Sequence, residues 1–128
     1  MSRYMLLLYR SEPSPQELKE REAEAPLWVE FTDSLREAGL LLGGDPLHPV
    51  DTATTVRVRN DETEIVDGPF AVTKEYLVGY YMLECADLDE ALKRAARVPL
   101  ARHGSVEVRP VVDMSSPARG LEEAAAAP

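Results

Sequence analysis

The chain has 128 residues, 45% of them hydrophobic, and a formal net charge of −9. One domain of this length buries roughly two-thirds of the surface its unfolded chain exposes, and its acidic balance argues against the Lys- and Arg-driven phosphate neutralisation on which nucleic-acid binding rests. No apolar run approaches the ~20 residues that span a bilayer, and no small-residue cleavage site follows the first apolar run, so neither membrane nor signal peptide is expected and the location is read as cytoplasmic.

Tyr4 to Tyr9 is apolar at every position, which predicts a strand covered on both faces. Ser14-Pro15-Gln16-Glu17 is a capping box with Pro at the first helical position. The helix it opens meets Pro26, which removes a backbone donor, so a kink or break is predicted near Ala25. Trp28, Phe31, Leu35 and Ala38 then recur at helical spacing as a buried stripe, and Gly39 stands where a left-handed residue ends a helix. Leu40-Leu41-Leu42 predicts a short strand, closed by Gly43-Gly44-Asp45-Pro46.

Thr54 to Arg59 alternates Val56 and Val58 with Arg57 and Arg59. Asn60-Asp61 turns the chain into Glu64-Ile65-Val66, a hairpin. Leu77 to Cys85 is the next strand, and Asp87-Leu88-Asp89-Glu90 opens a second helix with Leu88, Ala91, Leu92 and Ala95 inward. Its acids lead and Lys93, Arg94 and Arg97 follow, as the helix dipole favours. Pro99 stops that helix, and Ser105 to Val112 gives the last strand.

The order is β-α-β-β-(β)-α-β, the ferredoxin-like α+β pattern over residues 1–112, with both helices on one face of an antiparallel sheet. Residues 113–128 lack apolar periodicity and read as a disordered or frayed tail. The all-apolar first strand needs cover on its other face, and a second copy of the sheet is the simplest cover, so a homodimer is expected.

Several groups of residues can carry chemistry. Asp67-Gly68-Pro69-Phe70 reads as a tight turn anchored by Phe70. Directly after it, Thr73, Lys74 and Glu75 crowd a short segment, so Asp67, Lys74 and Glu75 are candidate acid–base groups or, alternatively, a surface ion-pair cluster. Arg57, Arg59 and Arg109 point away from the valine faces of their strands. They form either a cationic patch for a carboxylate or phosphate, with Arg57 and Arg109 as ligand-binding candidates, or a cross-strand ladder with acids such as Glu107.

Tyr80 and Tyr81 alternate, so one is core and the other, with Tyr80 as the candidate, offers its hydroxyl to a cavity. His48 and His103 lie in loops and read as solvent-exposed. With the single Cys85 they make no metal site, and nucleotide and dinucleotide motifs are missing, so no metal or other cofactor is expected. Cys85 lies among apolar neighbours and reads as an inert packed thiol.

Read in order, Ala38-Gly39, Gly43-Gly44, Thr54-Thr55-Val56-Arg57-Val58, Asp67-Gly68-Pro69-Phe70, Thr73-Lys74-Glu75, Gly79-Tyr80-Tyr81, Leu88-Asp89-Glu90-Ala91 and Val106-Glu107-Val108-Arg109-Pro110 give a sequence that resembles the DGPF-type branch of the YCII-related proteins. The resemblance covers Tyr4 through Val111. It implies a ferredoxin-like fold pairing into a dimeric α+β barrel, with a cleft lined by both sheets. In that family a His–Asp pair in the cleft has been proposed as an active site. Pro26 and Gly39 fit the frame of that His, but its position holds Trp28, which cannot shuttle a proton at neutral pH. Val72 likewise stands where DGPF relatives usually carry Glu, so a carboxylate beside Lys74 is lost. Genes of the branch often accompany those of extracytoplasmic-function sigma factors, which implies a signalling or accessory role.

Two functions follow. One is a binder, with or without cofactor-free acid–base chemistry, of a small polar or anionic metabolite. In it Arg57, Arg109 and Tyr80 hold the ligand, Asp67 or Glu75 acts as base, and Lys74 gives electrostatic support. The other is a non-catalytic interaction module that presents a surface to a protein partner.

Overall fold

The fold is taken from a computed structural model that describes residues 1–115. The expected tail therefore lies, past residue 115, outside the described residues. Strand β1 (Ser2–Arg10) forms the centre of the sheet, because alternation sends Tyr4, Leu6 and Leu8 into the core and leaves Met5, Leu7 and Tyr9 half-buried on the opposite face. Helix α1 (Pro15–Ala23) starts as its capping box dictates, with the Glu17 N–H donating to Ser14 Oγ at 3.2 Å. It ends at Glu24, and α2 (Ala25–Glu37) resumes with Pro26 in its first turn, where a missing N–H costs least.

The end of α2 is a Schellman motif. Gly39 takes φ +73°, its N–H donates to the Arg36 carbonyl, and the Leu40 N–H donates to the Leu35 carbonyl, both at 3.0 Å. Leu35 and Leu40 are both buried, the apolar contact that accompanies such a cap. The cap turns the chain one residue after Ala38, so Ala38 is exposed and Leu40 takes the inward place expected of it.

Strand β2 (Leu41–Pro46) continues through Gly43-Gly44-Asp45-Pro46 rather than stopping there. Glycine is what permits this: a Cβ on Gly44 would lie 2.6 Å from the Tyr80 carbonyl oxygen of the neighbouring strand. Strands β3 (Thr54–Arg59) and β4 (Glu62–Asp67) form a separate two-stranded hairpin, turned by Asn60 and Asp61, both at positive φ. Strand β5 (Tyr76–Cys85), helix α3 (Leu88–Ala95) and strand β6 (Ser105–Pro110) complete the fold. A second cap opens α3, the Glu90 N–H donating to Asp87 Oδ1 and the Ala86 N–H donating to Glu90 Oε1, each at 2.9 Å.

The main sheet is antiparallel and has four strands in the order β2-β5-β1-β6. Together with the helices it makes the ferredoxin-like α+β fold expected. Phe31 and Leu35 of α2, Ala91 and Ala95 of α3, and Leu100 pack on the face that carries Tyr4, Leu6, Leu8, Tyr81 and Leu83. Each of the fully buried leucines contributes about 1.5–3 kcal/mol by leaving water. Leu88 and Leu92 are 46% and 47% exposed, unlike the inward placement expected, because α3 is short and only its alanine edge meets the sheet. Cys85 is fully buried, and desolvation pushes its thiol pKa up, which keeps the nucleophilic thiolate scarce.

Candidate functional site

Helix α2 presents two edges. Phe31 and Leu35 go to the core, while Ala25, Trp28, Val29, Thr32, Asp33 and Arg36 recur at helical spacing along an adjacent stripe. That stripe forms one wall of a cleft of ≈ 620 Å³. Gly44 to Pro46 of β2 and Val78 to Tyr81 of β5 form the opposite wall, with Leu8 and Arg21 also contributing to the lining. The volume falls within the range of pockets that take small molecules.

Most of the wall is apolar, and its polar groups are arranged in pairs. Thr32 Oγ1 and the Tyr81 hydroxyl lie 2.7 Å apart. Tyr81 is otherwise core, its ring edge-on to Phe31 with centroids 5.3 Å apart, so packing fixes that hydroxyl in place. Tyr80 and Asp45 face each other across β5 and β2, and the Tyr80 hydroxyl donates to Asp45 Oδ2 at 2.9 Å. That hydrogen bond, reinforced by the carboxylate's charge, raises the Tyr80 pKa. Asp33 and Arg36 pair at 2.8 Å on exposed helix surface.

Glu24, at the break between α1 and α2, organises the near side. Its carboxylate accepts from both terminal nitrogens of Arg10, at 2.9 and 3.2 Å. The Arg10 hydrogen bonds hold the Glu24 pKa below its ordinary value against the opposing effect of burial, and the Trp28 indole N–H acts in the same direction. Trp28, one turn further along α2, lines the cleft.

Of the residues singled out in the sequence, Tyr80 lines this cleft. Asp67 ends β4 opposite Thr54, and the Arg57 guanidinium reaches the Phe70 carbonyl at 3.4 Å, so both belong to the hairpin. Lys74 is exposed in the segment leading to β5, and Glu75 accepts from the Ser105 hydroxyl at 2.9 Å at the start of β6. Arg109 is the register partner of Met5 on the half-buried face of β1. These groups are spread over the hairpin, the β5 entry and β6 rather than gathered around the cleft. The cleft residues missed in the sequence are Arg21, Thr32 and Asp45. A helical-spacing stripe of Trp28, Thr32 and Arg36 beside the core stripe is a signal for Thr32 alone, and Arg21 on α1 and Asp45 on β2 lie off it.

A ferredoxin-like sheet with its helices on one face and a largely apolar cleft beside β2 defines a small α+β protein with a concave site of ligand size. The chain belongs to the YCII-related family, whose domain matches residues 2–115. It is similar to the uncharacterized protein R00369 of Rhizobium meliloti (strain 1021), with 48% identity over 77 residues, covering 59% of this chain and 62% of that relative. Among the described residues, no helix is long and apolar enough to cross a membrane.

Proposed function

We propose that this YCII-related chain, of the DGPF-type branch, is a homodimer that binds a small polar or anionic metabolite in the cleft between α2 and the β2–β5 edge. The observation that carries the reading is the make-up of that cleft: apolar walls interrupted by the Thr32–Tyr81 pair, with the Tyr80–Asp45 pair at its β2–β5 rim turned to the open side of the sheet. Such a surface desolvates a small molecule and orients it through few polar groups. The reading does not require the roles assigned from sequence to Asp67, Lys74 and Glu75. Those stand as a separate proposal, tested by whether Lys74→Ala weakens ligand binding.

Dimerisation is supported by the open face of the sheet. Met5 and Leu7 are only half-buried there, and their register neighbours Arg109, Glu107 and Tyr80 include charges of both signs, as an isologous contact needs. Native mass spectrometry of the purified protein tests both parts. A dimer carrying extra mass is expected, and a monomer would contradict the pairing.

A second reading, an interaction module, is favoured by the hairpin. Val56 and Ile65, register partners in the hairpin, are 60% and 69% exposed, and Phe70 and Val72 just after it are 78% and 89% exposed. An empty dimer in the same measurement would favour that reading.

A further inference from the structure

We infer that the cleft selects an organic anion with a flat apolar body, a carboxylate being the simplest, and that Arg21 is the residue that receives its charge. This rests on the cleft reading above and adds the ligand's chemistry to it.

The argument starts from an arginine whose countercharge is incomplete. Arg21 lines the cleft beside Ala25 and Trp28, and its side chain is 17% exposed. One terminal nitrogen donates to the Ser11 carbonyl at 2.6 Å. Its nearest carboxylate, Glu17, stands 3.8 Å away and is half exposed. Glu24 would be the natural partner, but its oxygens are taken by Arg10 in a two-pronged pair. The Nε of Arg21 is buried without any hydrogen-bond partner. Burial, seconded by the charge of Arg10, lowers the Arg21 pKa, which is the mark of a cation short of solvent and of anions.

A guanidinium in this state gains from an oxyanion brought to its remaining terminal nitrogen, a charge-assisted hydrogen bond stronger than a neutral one. The rest of the cleft fixes the body attached to that anion. Trp28 offers a ring for stacking, and Leu8, Ala25, Val29 and Val78 are apolar. A highly charged phosphate ester would have to leave its hydration for these walls, where Arg36 is already paired with Asp33 and Arg21 alone is offered in return, so a monoanion suits the site better.

The test compares 3-phenylpropionate with its neutral amide, 3-phenylpropionamide, by calorimetry and by fluorescence of Trp28, the chain's single tryptophan. The wild-type protein is expected to bind the carboxylate at least tenfold more tightly than the amide. Arg21→Gln is expected to abolish that preference while leaving amide affinity within about twofold, and Arg21→Lys to restore part of it. Equal binding of both probes to the wild type would overturn the assignment of Arg21 while leaving the cleft as a ligand site. Failure of both probes to bind would also overturn it. The cleft reading itself then stands or falls on the mass of the native protein. The wild-type comparison decides even if Arg21→Gln does not fold.

Discussion

Glu24 holds together pieces that belong to different elements: Arg10 at the end of β1 and the break between the two helices. The pair is largely buried, with side-chain exposures of 12% and 17%, so losing one member leaves a charge without compensation. Replacing Glu24 by Gln is expected to cost about 2–3 kcal/mol at neutral pH. The pH dependence has a definite sign. The folded-state pKa lies below the ordinary carboxyl value of 4.5, so the stabilisation is complete above that value and is lost as pH falls through the lower, folded one. Urea denaturation across the acid range should show the wild type losing its advantage over Glu24→Gln there. An unchanged difference between the two proteins would refute the assignment.

A second prediction at this scale concerns the paired hydroxyls. Thr32→Val removes one partner and leaves the Tyr81 hydroxyl unsatisfied in a half-buried place, at a cost of about 1–3 kcal/mol. Tyr81→Phe added to it should cost little more, so a double-mutant cycle should show positive coupling. Strict additivity would mean that water already serves both groups.

At the scale of elements, β2 decides whether the cleft exists. A methyl on Gly44 would meet the Tyr80 carbonyl oxygen at 2.6 Å and the Tyr81 Cα at 3.1 Å, and backbone atoms cannot step aside as a flexible side chain would. Gly44→Ala is expected to push β2 off β5 and destabilise the protein by about 2 kcal/mol or more, within the range of overpacking. Amide exchange should accelerate in Asp45 and Leu47 before it does in β1. Protection unchanged in β2 would show that the strands separate without harm.

The same element shows where sequence stops being a guide. The caps at Ser14 and Asp87, the break at Pro26 and the turn at Gly39 each depend on residues a few places apart, and each was legible. β2 was expected to stop at its glycines because glycine is poor in strands, and it continues because close approach to β5 requires them. The cleft was less legible still. Thr32 and Tyr81 are 49 positions apart, and nothing local to either announces the other. Leu88 and Leu92 illustrate the converse, since helical periodicity marks them as inward but a short helix lays only its alanines on the sheet.

At the scale of the whole molecule, the sheet has one face closed by helices and another on which Met5 and Leu7, in the central strand, are half-buried. Leu7 lies between Tyr80 on β5 and Glu107 on β6, and Met5 between Met82 and Arg109, so an apolar middle is edged by charge. In the homodimer proposed above, a two-fold contact would bury this apolar middle against its copy. Leu7→Lys would therefore leave the monomer's own core intact, since Tyr4, Leu6 and Leu8 point the other way. In the proposed dimer it would set a pair of ammonium groups in the apolar middle of the contact, and their desolvation would oppose the pairing. Light scattering coupled to size exclusion is expected to show a dimer for the wild type and a folded monomer for Leu7→Lys, with unchanged circular dichroism. A variant that remained a dimer would move the contact away from this face, leaving the apolar hairpin around Val56 and Ile65 as the surface to be mutated next.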